Sequence, residues 1–239
     1  MELFEMTVED VQSYLRDRAT VVIPAGSTEQ HGAMAPMGCD TLVAEEICRR
    51  ACRVSGTLMT PALPYGMSES HMGFSGTVSL APMTLAAVVR DIVSSLAGAG
   101  FARVIILNAH GGNRGPALTG MYEAVREHGM LEARFLCYWE LPGAMEMEEE
   151  LFPGGSGYHA TAAEVSMLMH LRPDFQPVAP KSPVMDMPGR GEVVGAAGWK
   201  SRFPEGPCGV DPTQVSADKG RRLLEHLSGA LAELLGEGS

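Results

Sequence analysis

The sequence predicts an α/β fold built on a mainly parallel sheet with helices on both faces. Three observations carry that prediction. Four short apolar, β-rich runs recur along the chain, at 19–25, 57–64, 103–108 and 134–138. Longer stretches between them place apolar residues at three- and four-residue steps. Each strand-like run leads into a turn containing glycine or proline, which is the alternation that builds a parallel sheet. Ligands of such sheets bind beyond the carboxyl ends of the strands. The turns are therefore where chemistry is to be sought.

In chain order, the first run, Thr20-Val21-Val22-Ile23-Pro24, passes into the turn Gly26-Ser27-Thr28-Glu29-Gln30-His31-Gly32. A helix is expected over 41–54, with Leu42, Val43, Ile47 and Ala51 on one face, and another over 85–99, with Val88, Val89, Ile92, Val93 and Leu96. The third run delivers Asn108 and His110 into a glycine-rich turn. Two further helices are expected, from Thr161 to about Leu171 and over 217–235, the latter with leucines at 223, 224, 227, 231 and 235 packed inward. Met145 to Glu150 reads as a solvated acidic helix end or loop. Residues 185–211, rich in glycine and proline, predict a long surface excursion, and loops of that length often act as lids. Residues 1–239 read as one domain carrying that excursion.

Composition narrows the function. The chain has 239 residues, 45% of them hydrophobic and 20% charged, as expected of a globular protein able to bury a sizeable core. A net charge of -11 without any Lys/Arg cluster excludes a nucleic-acid binder that works by neutralising phosphates. The five cysteines, at 39, 48, 52, 137 and 208, form no CxxC pair. That argues against a disulfide framework or a cysteine-rich zinc site and predicts a reducing, cytoplasmic location. Neither a leader peptide nor a membrane span is expected.

The polar residues of the turns have individual explanations. On extended backbone Glu29 and His31 face the same way. Asp40, just ahead of a helix, would serve as its N-cap. His110-Gly111-Gly112-Asn113 could cradle an anion, although it has neither the Walker nor the dinucleotide spacing. Thr161 and Glu164 have the spacing of a capping box. Were His159 and Glu164 both helical they would lie about 140° apart, so His159 is expected in the preceding loop. Together, three carboxylates and three histidines gather at strand exits and helix starts. Such a mixed donor set suits zinc, manganese or ferrous iron. Five protein ligands exceed the needs of one open catalytic zinc, whereas a two-metal centre with a bridging carboxylate would use them all.

Four segments, GSTEQHG with Asp40, SESHMGFSGTVSL at 68–80, LNAHGGNRG at 107–115 and HATAAEVS at 159–166, together resemble the creatininase (creatinine amidohydrolase) family. The weaker GVDPTQVSADKG at 209–220 is similar to its C-terminal segment. The resemblance implies a three-layer α/β/α sandwich with a mainly parallel central sheet, assembly as a homo-oligomer, often a hexamer, and a centre of two divalent ions, zinc or manganese with iron as an alternative. Glu29, His31, Asp40 and His110 fall on metal-ligand positions, with Asp40 bridging. Glu164 supplies the last ligand in many members. Creatininase itself takes it from a glutamate two residues after the histidine matching His110, where this chain has Gly112. His159 falls on a substrate-contacting, proton-handling histidine, and Ser68 and His71 lie in a segment that lines the pocket. Other departures suggest a substrate other than creatinine. Gly154-Gly155-Ser156-Gly157-Tyr158 stands where creatininase has aromatics, Trp139 and Trp199 lie elsewhere in the chain, and Met34 replaces a polar residue.

The expected activity is hydrolysis of a C–N bond in a small cyclic or acyl amide by a metal-bridged hydroxide, with His159 and Glu164 as catalytic residues and no nucleic-acid or membrane partner. Alternatives within the family are a peptidase, a deformylase and a C–C hydrolase of a cyclic keto-inositol. From another class comes a non-catalytic metal-binding protein. A nucleophilic Cys39 is disfavoured because the adjoining Asp40 opposes its thiolate.

Overall fold

A computed structural model describes residues 1–236. Its strands are β1 (Thr20–Ala25), β2 (Leu58–Met59), β3 (Arg103–Asn108) and β4 (Glu132–Cys137), all parallel in the order β2-β1-β3-β4. The last residues of the three long strands, Ala25, Asn108 and Cys137, lie in register. The turns that follow β1 and β3 therefore emerge side by side. β1 is buried at every position, as a parallel strand covered on both faces must be.

Eight helices follow the chain order: α1 (Val8–Asp17), α2 (Cys39–Ser55), α3 (Pro82–Gly98), α4 (Arg114–Glu127), α5 (Ala144–Leu151), α6 (Ala162–Leu171), α7 (Ala196–Arg202) and α8 (Ala217–Gly236). The strand alternation divides two cores between them. Val22, Ile105 and Leu107 pack with α2, α5, α6 and α8, while Val21, Ile23, Val104 and Ile106 pack with α1, α3 and α4. The result is the α/β sandwich that the sequence implies. Truncating a buried leucine in either layer should cost about 2–5 kcal/mol.

Several elements differ from expectation for local reasons. The 57–64 run keeps only two residues in the ladder, since Pro61 and Pro64 have no amide hydrogen to donate. Thr60 and Leu63 nevertheless donate to Val22 and Pro24, and the segment stays beside β1. α1 escapes the periodicity reading but starts on a capping box between Thr7 and Asp10. The acidic stretch at 145–150 is the body of α5, anchored by buried Ala144 and Leu151. The 185–211 excursion is not all loop. It contains α7, whose Trp199 packs with Phe203 and Cys208 in a small third apolar cluster. No helix among the described residues is long and apolar enough to cross a membrane.

Candidate functional site

The β1 exit places Glu29 and His31 at the carboxyl edge of the sheet. Gly26 makes this possible: a Cβ there would lie 2.3 Å from the Thr41 amide nitrogen, so only glycine lets the turn meet the start of α2. α2 begins after Gly38, two residues earlier than the N-cap reading of Asp40 requires. Asp40 is thus inside the first turn and caps nothing. Its carboxylate instead faces His31, with Oδ1 3.0 Å from Nε2.

Neighbouring β3 delivers His110. Its Nδ1 lies 3.2 Å from Glu29 Oε2 and 3.3 Å from Asp40 Oδ2. His110 Nε2 donates to the Met67 carbonyl at 3.0 Å, and His31 Nδ1 donates to the Glu29 carbonyl at 3.2 Å. Each imidazole therefore spends its N–H on backbone and turns its other nitrogen toward carboxylate oxygens, the usual preparation of a metal-binding histidine. Glu29 Oε2 and Asp40 Oδ2 are buried without a hydrogen-bond donor. Orphaned acceptors facing imidazole nitrogens call for a cation, and the residues fit one: Glu29, Asp40 and His110 can close on a single ion. Glu29 with His31 and His159, and His31 with Cys39 and Asp40, form two further such groups.

In the metal-free protein protons take the cation's place. Burial opposes a charged imidazole, but the Asp40 carboxylate outweighs it and raises His31 to about 9. His110 rises in the same way, burial being outweighed chiefly by Glu29. Asp40 is lowered despite its burial, mainly by the charge on His31.

Glu164 satisfies both sequence readings. Its Oε2 accepts from the Thr161 amide while Thr161 Oγ1 accepts from the Glu164 amide, so the capping box is real. Its carboxyl also lines the same cavity as Glu29 and Asp40, and burial, then the charge of Asp40, raise it to about 7. It stands outside the three tight donor groups. Gly112 has no room for any side chain: a Cβ would sit 2.2 Å from the Met67 carbonyl and 2.6 Å from His110 Nε2. A glutamate could not replace it without moving His110.

His159 precedes α6 in a loop pinned by hydrogen bonds with Cys208, as expected. Its Nε2 lies 2.7 Å from the Gln30 carbonyl, and donating there leaves Nδ1 free 3.5 Å from Glu29 Oε1. Burial and the neighbouring His71 and His31 push its pKa well down, so the ring is neutral. Gln30, between Glu29 and His31, is buried and its Nε2 donates to His71 Nδ1 at 2.9 Å. His71 stacks on His159 with centroids 4.1 Å apart. Ser68 Oγ bonds Ser27 at 2.5 Å and approaches His110 Nε2 at 3.4 Å.

These groups surround a cavity of about 560 Å³. Trp139 and Trp199, remote in sequence, both line it, and Trp199 meets the edges of His71 and His159. Met34 belongs to the core instead, 1% exposed and away from the cavity wall. His31 touches Asp40 but does not line the cavity. Cys39 is buried with its thiol pushed well up by burial and then by Asp40, which disfavours a nucleophilic role.

Fold and site together define an α/β-sandwich protein with a buried carboxylate–imidazole cluster at the carboxyl ends of a parallel sheet. Comparison with known proteins gives the family. The family model for creatininase, described as creatinine amidohydrolase, matches residues 4–235. The chain belongs to the creatininase family. It is 29% identical over 227 residues to a mycofactocin precursor peptide peptidase of Mycobacterium ulcerans, covering 87% of this chain and 81% of that one. To a creatinine amidohydrolase of Pseudomonas putida it is 32% identical over 169 residues, 65% of each chain. A solved manganese form of creatininase superposes with a TM-score of 0.87 at 26% identity, covering 99% of this chain and 97% of that one, and a zinc–zinc form of a creatininase variant matches equally well.

Proposed function

We propose that this protein, acting as one domain over residues 1–239, is a metal-dependent amidohydrolase of a small amide. The observation that carries the reading is the pair of orphaned carboxylate oxygens, Glu29 Oε2 and Asp40 Oδ2, buried against imidazole nitrogens beside the cavity. Glu29, His31, Asp40, His110 and Glu164 would hold two divalent ions, zinc or manganese, with Asp40 shared because its two oxygens face His31 and His110 separately. Bound there, the ions would supply a water activated near neutral pH and a Lewis acid for the scissile carbonyl.

The protein's own residues then handle the protons. The free Nδ1 of neutral His159 accepts the proton of the attacking water and returns it to the departing nitrogen, as a general base and then acid. The Gln30 carbonyl holds the ring in that tautomer. Glu164, whose Oε2 is held by the Thr161 amide, would serve the reaction as an ion ligand at the cavity wall. Ser68 and His71 line the cavity close to His110 and Glu29 and would position the substrate carbonyl.

A second reading is hydrolysis of a peptide bond. It is supported by the peptidase relatives, which align with most of this chain. A screen of cyclic ureas, lactams, formamides and short peptides with metal-reconstituted protein tests both. Release of amine from at least one class is expected, and inertness toward all would remove the amidohydrolase reading.

A further inference from the structure

Beyond the metal-type cluster the cavity carries one more carboxylate, Glu148. It comes from α5, where Glu150 pairs with Arg222 and Glu149 accepts from the Gly154 amide, both outside the cavity lining. Glu148 is different. Its Oε2 accepts from Ser156 Oγ at 2.7 Å, and Oε1 has no hydrogen-bond partner among the described residues. No lysine or arginine lines the cavity, and Glu148 has no ion-pair partner among the described residues. Burial pushes its carboxyl upward and the Ser156 hydroxyl opposes that. A half-buried carboxylate with one oxygen free of protein partners at the cavity wall is available to a cationic ligand.

Its surroundings suit an organic cation. Trp139 and Tyr158 line the same cavity, and aromatic faces attract ammonium groups. Met145, three residues earlier on α5, and Tyr158 are 74% and 53% exposed, so this end of the cavity opens to solvent. Glu29, Asp40 and Glu164 are committed to the proposed ions. Glu148 is left to a positive charge carried by the substrate. Ser156 sits in a loop where Gly154, Gly155 and Gly157 all adopt positive φ, and its carbonyl accepts from the Ala162 amide at 2.6 Å. That anchoring fixes the hydroxyl which orients the carboxylate.

Resting on the amidohydrolase reading, we propose that Glu148 is a specificity-determining residue: it binds a primary ammonium group carried by the substrate on the side away from the scissile bond. The protein then selects amino-substituted amides over neutral ones of the same size.

The test compares β-alaninamide with butyramide, in which a methyl replaces the ammonium, on metal-reconstituted full-length protein and its Glu148→Gln variant. Gln keeps an acceptor for Ser156, so the loop contact survives. Ammonia release gives kcat and KM, and calorimetry gives Kd. The wild type should favour β-alaninamide by about tenfold in KM or Kd. Glu148→Gln should abolish that preference while leaving butyramide unaffected and kcat within about twofold. A wild type without preference, a variant that retains it, or equal losses for both amides would overturn the proposal. If neither amide is hydrolysed, the amidohydrolase reading loses support for this class, while the calorimetric preference still decides the role of Glu148.

Discussion

The cavity has two unlike walls. The inner wall is made by strand exits and the start of α2, where Glu29 and Asp40 are 1% and 2% exposed and the imidazoles of His31 and His110 are braced by backbone carbonyls. The outer wall is made by α5, the glycine loop and α7, where Glu148 is half-buried and Tyr158 and Met145 meet solvent. The inner wall is held by sheet register and close backbone contact and has little freedom to change. The outer wall lies outside the sheet register, tied by loop backbone bonds such as the Ala162 amide to the Ser156 carbonyl and by side-chain contacts such as Trp199 on His71. On the proposed function, the chemistry would belong to the inner wall and the choice of substrate to the outer one.

Substitutions should separate the two. Asp40→Ala removes the carboxylate placed between His31 and His110. We expect metal content measured by mass spectrometry to fall sharply and hydrolysis to drop on the order of 10³-fold. Full metal content in the variant would sink the bridging assignment. Gly112→Ala forces a Cβ against the Met67 carbonyl and His110. It should cost about 2 kcal/mol in denaturant unfolding and about 10–100-fold in metal affinity. An unaltered affinity would mean that the inner wall is softer than its packing indicates.

Metal removal should expose the titration of the same wall. His31 has a pKa of about 9 in the metal-free fold against an ordinary 6.5. Its proton stabilises the fold fully below about 6.5, and that contribution is lost as pH rises through about 9. Glu164, raised from 4.5 to about 7, acts in the same direction over its own lower window, since the folded state holds a proton that the unfolded state has released. The melting temperature of chelator-treated protein should therefore fall between pH 6.5 and 9, and that of metal-loaded protein should change less. Parallel profiles would contradict the exchange of protons for cations. The smallest effect is expected on the outer wall. Trp199→Phe loses the bond from Nε1 to the Gly206 carbonyl at 3.2 Å. It should cost about 1 kcal/mol of stability and shift KM while leaving metal content intact. A loss of metal would show that the walls are not independent.

The same division decides what could be read in the sequence. β1, β3, α2, α3, α6 and α8 carry their apolar periodicity openly, and Glu29, His31, Asp40, His110 and His159 sit where a parallel sheet gathers its loops. Glu164 lines the cavity and also closes the capping box that its spacing from Thr161 predicts. The helices that escaped have local causes: α1 and α4 present polar faces, and α7 lies within a glycine- and proline-rich stretch. The pairing of Trp199 with His71 joins segments far apart in the chain, and no local pattern encodes that. Of the two readings of Asp40, the capping one falls because α2 starts two residues earlier than the periodicity places it. The contacts of Gln30 have no local signal, since they depend on where His71 and His159 end up.

Anomalous diffraction from crystals of the zinc-loaded protein tests the central claim most directly. The account predicts peaks within coordination distance of Asp40, one of them also touching Glu29 and His110. A map with zinc bound elsewhere, and none at Asp40, would contradict it.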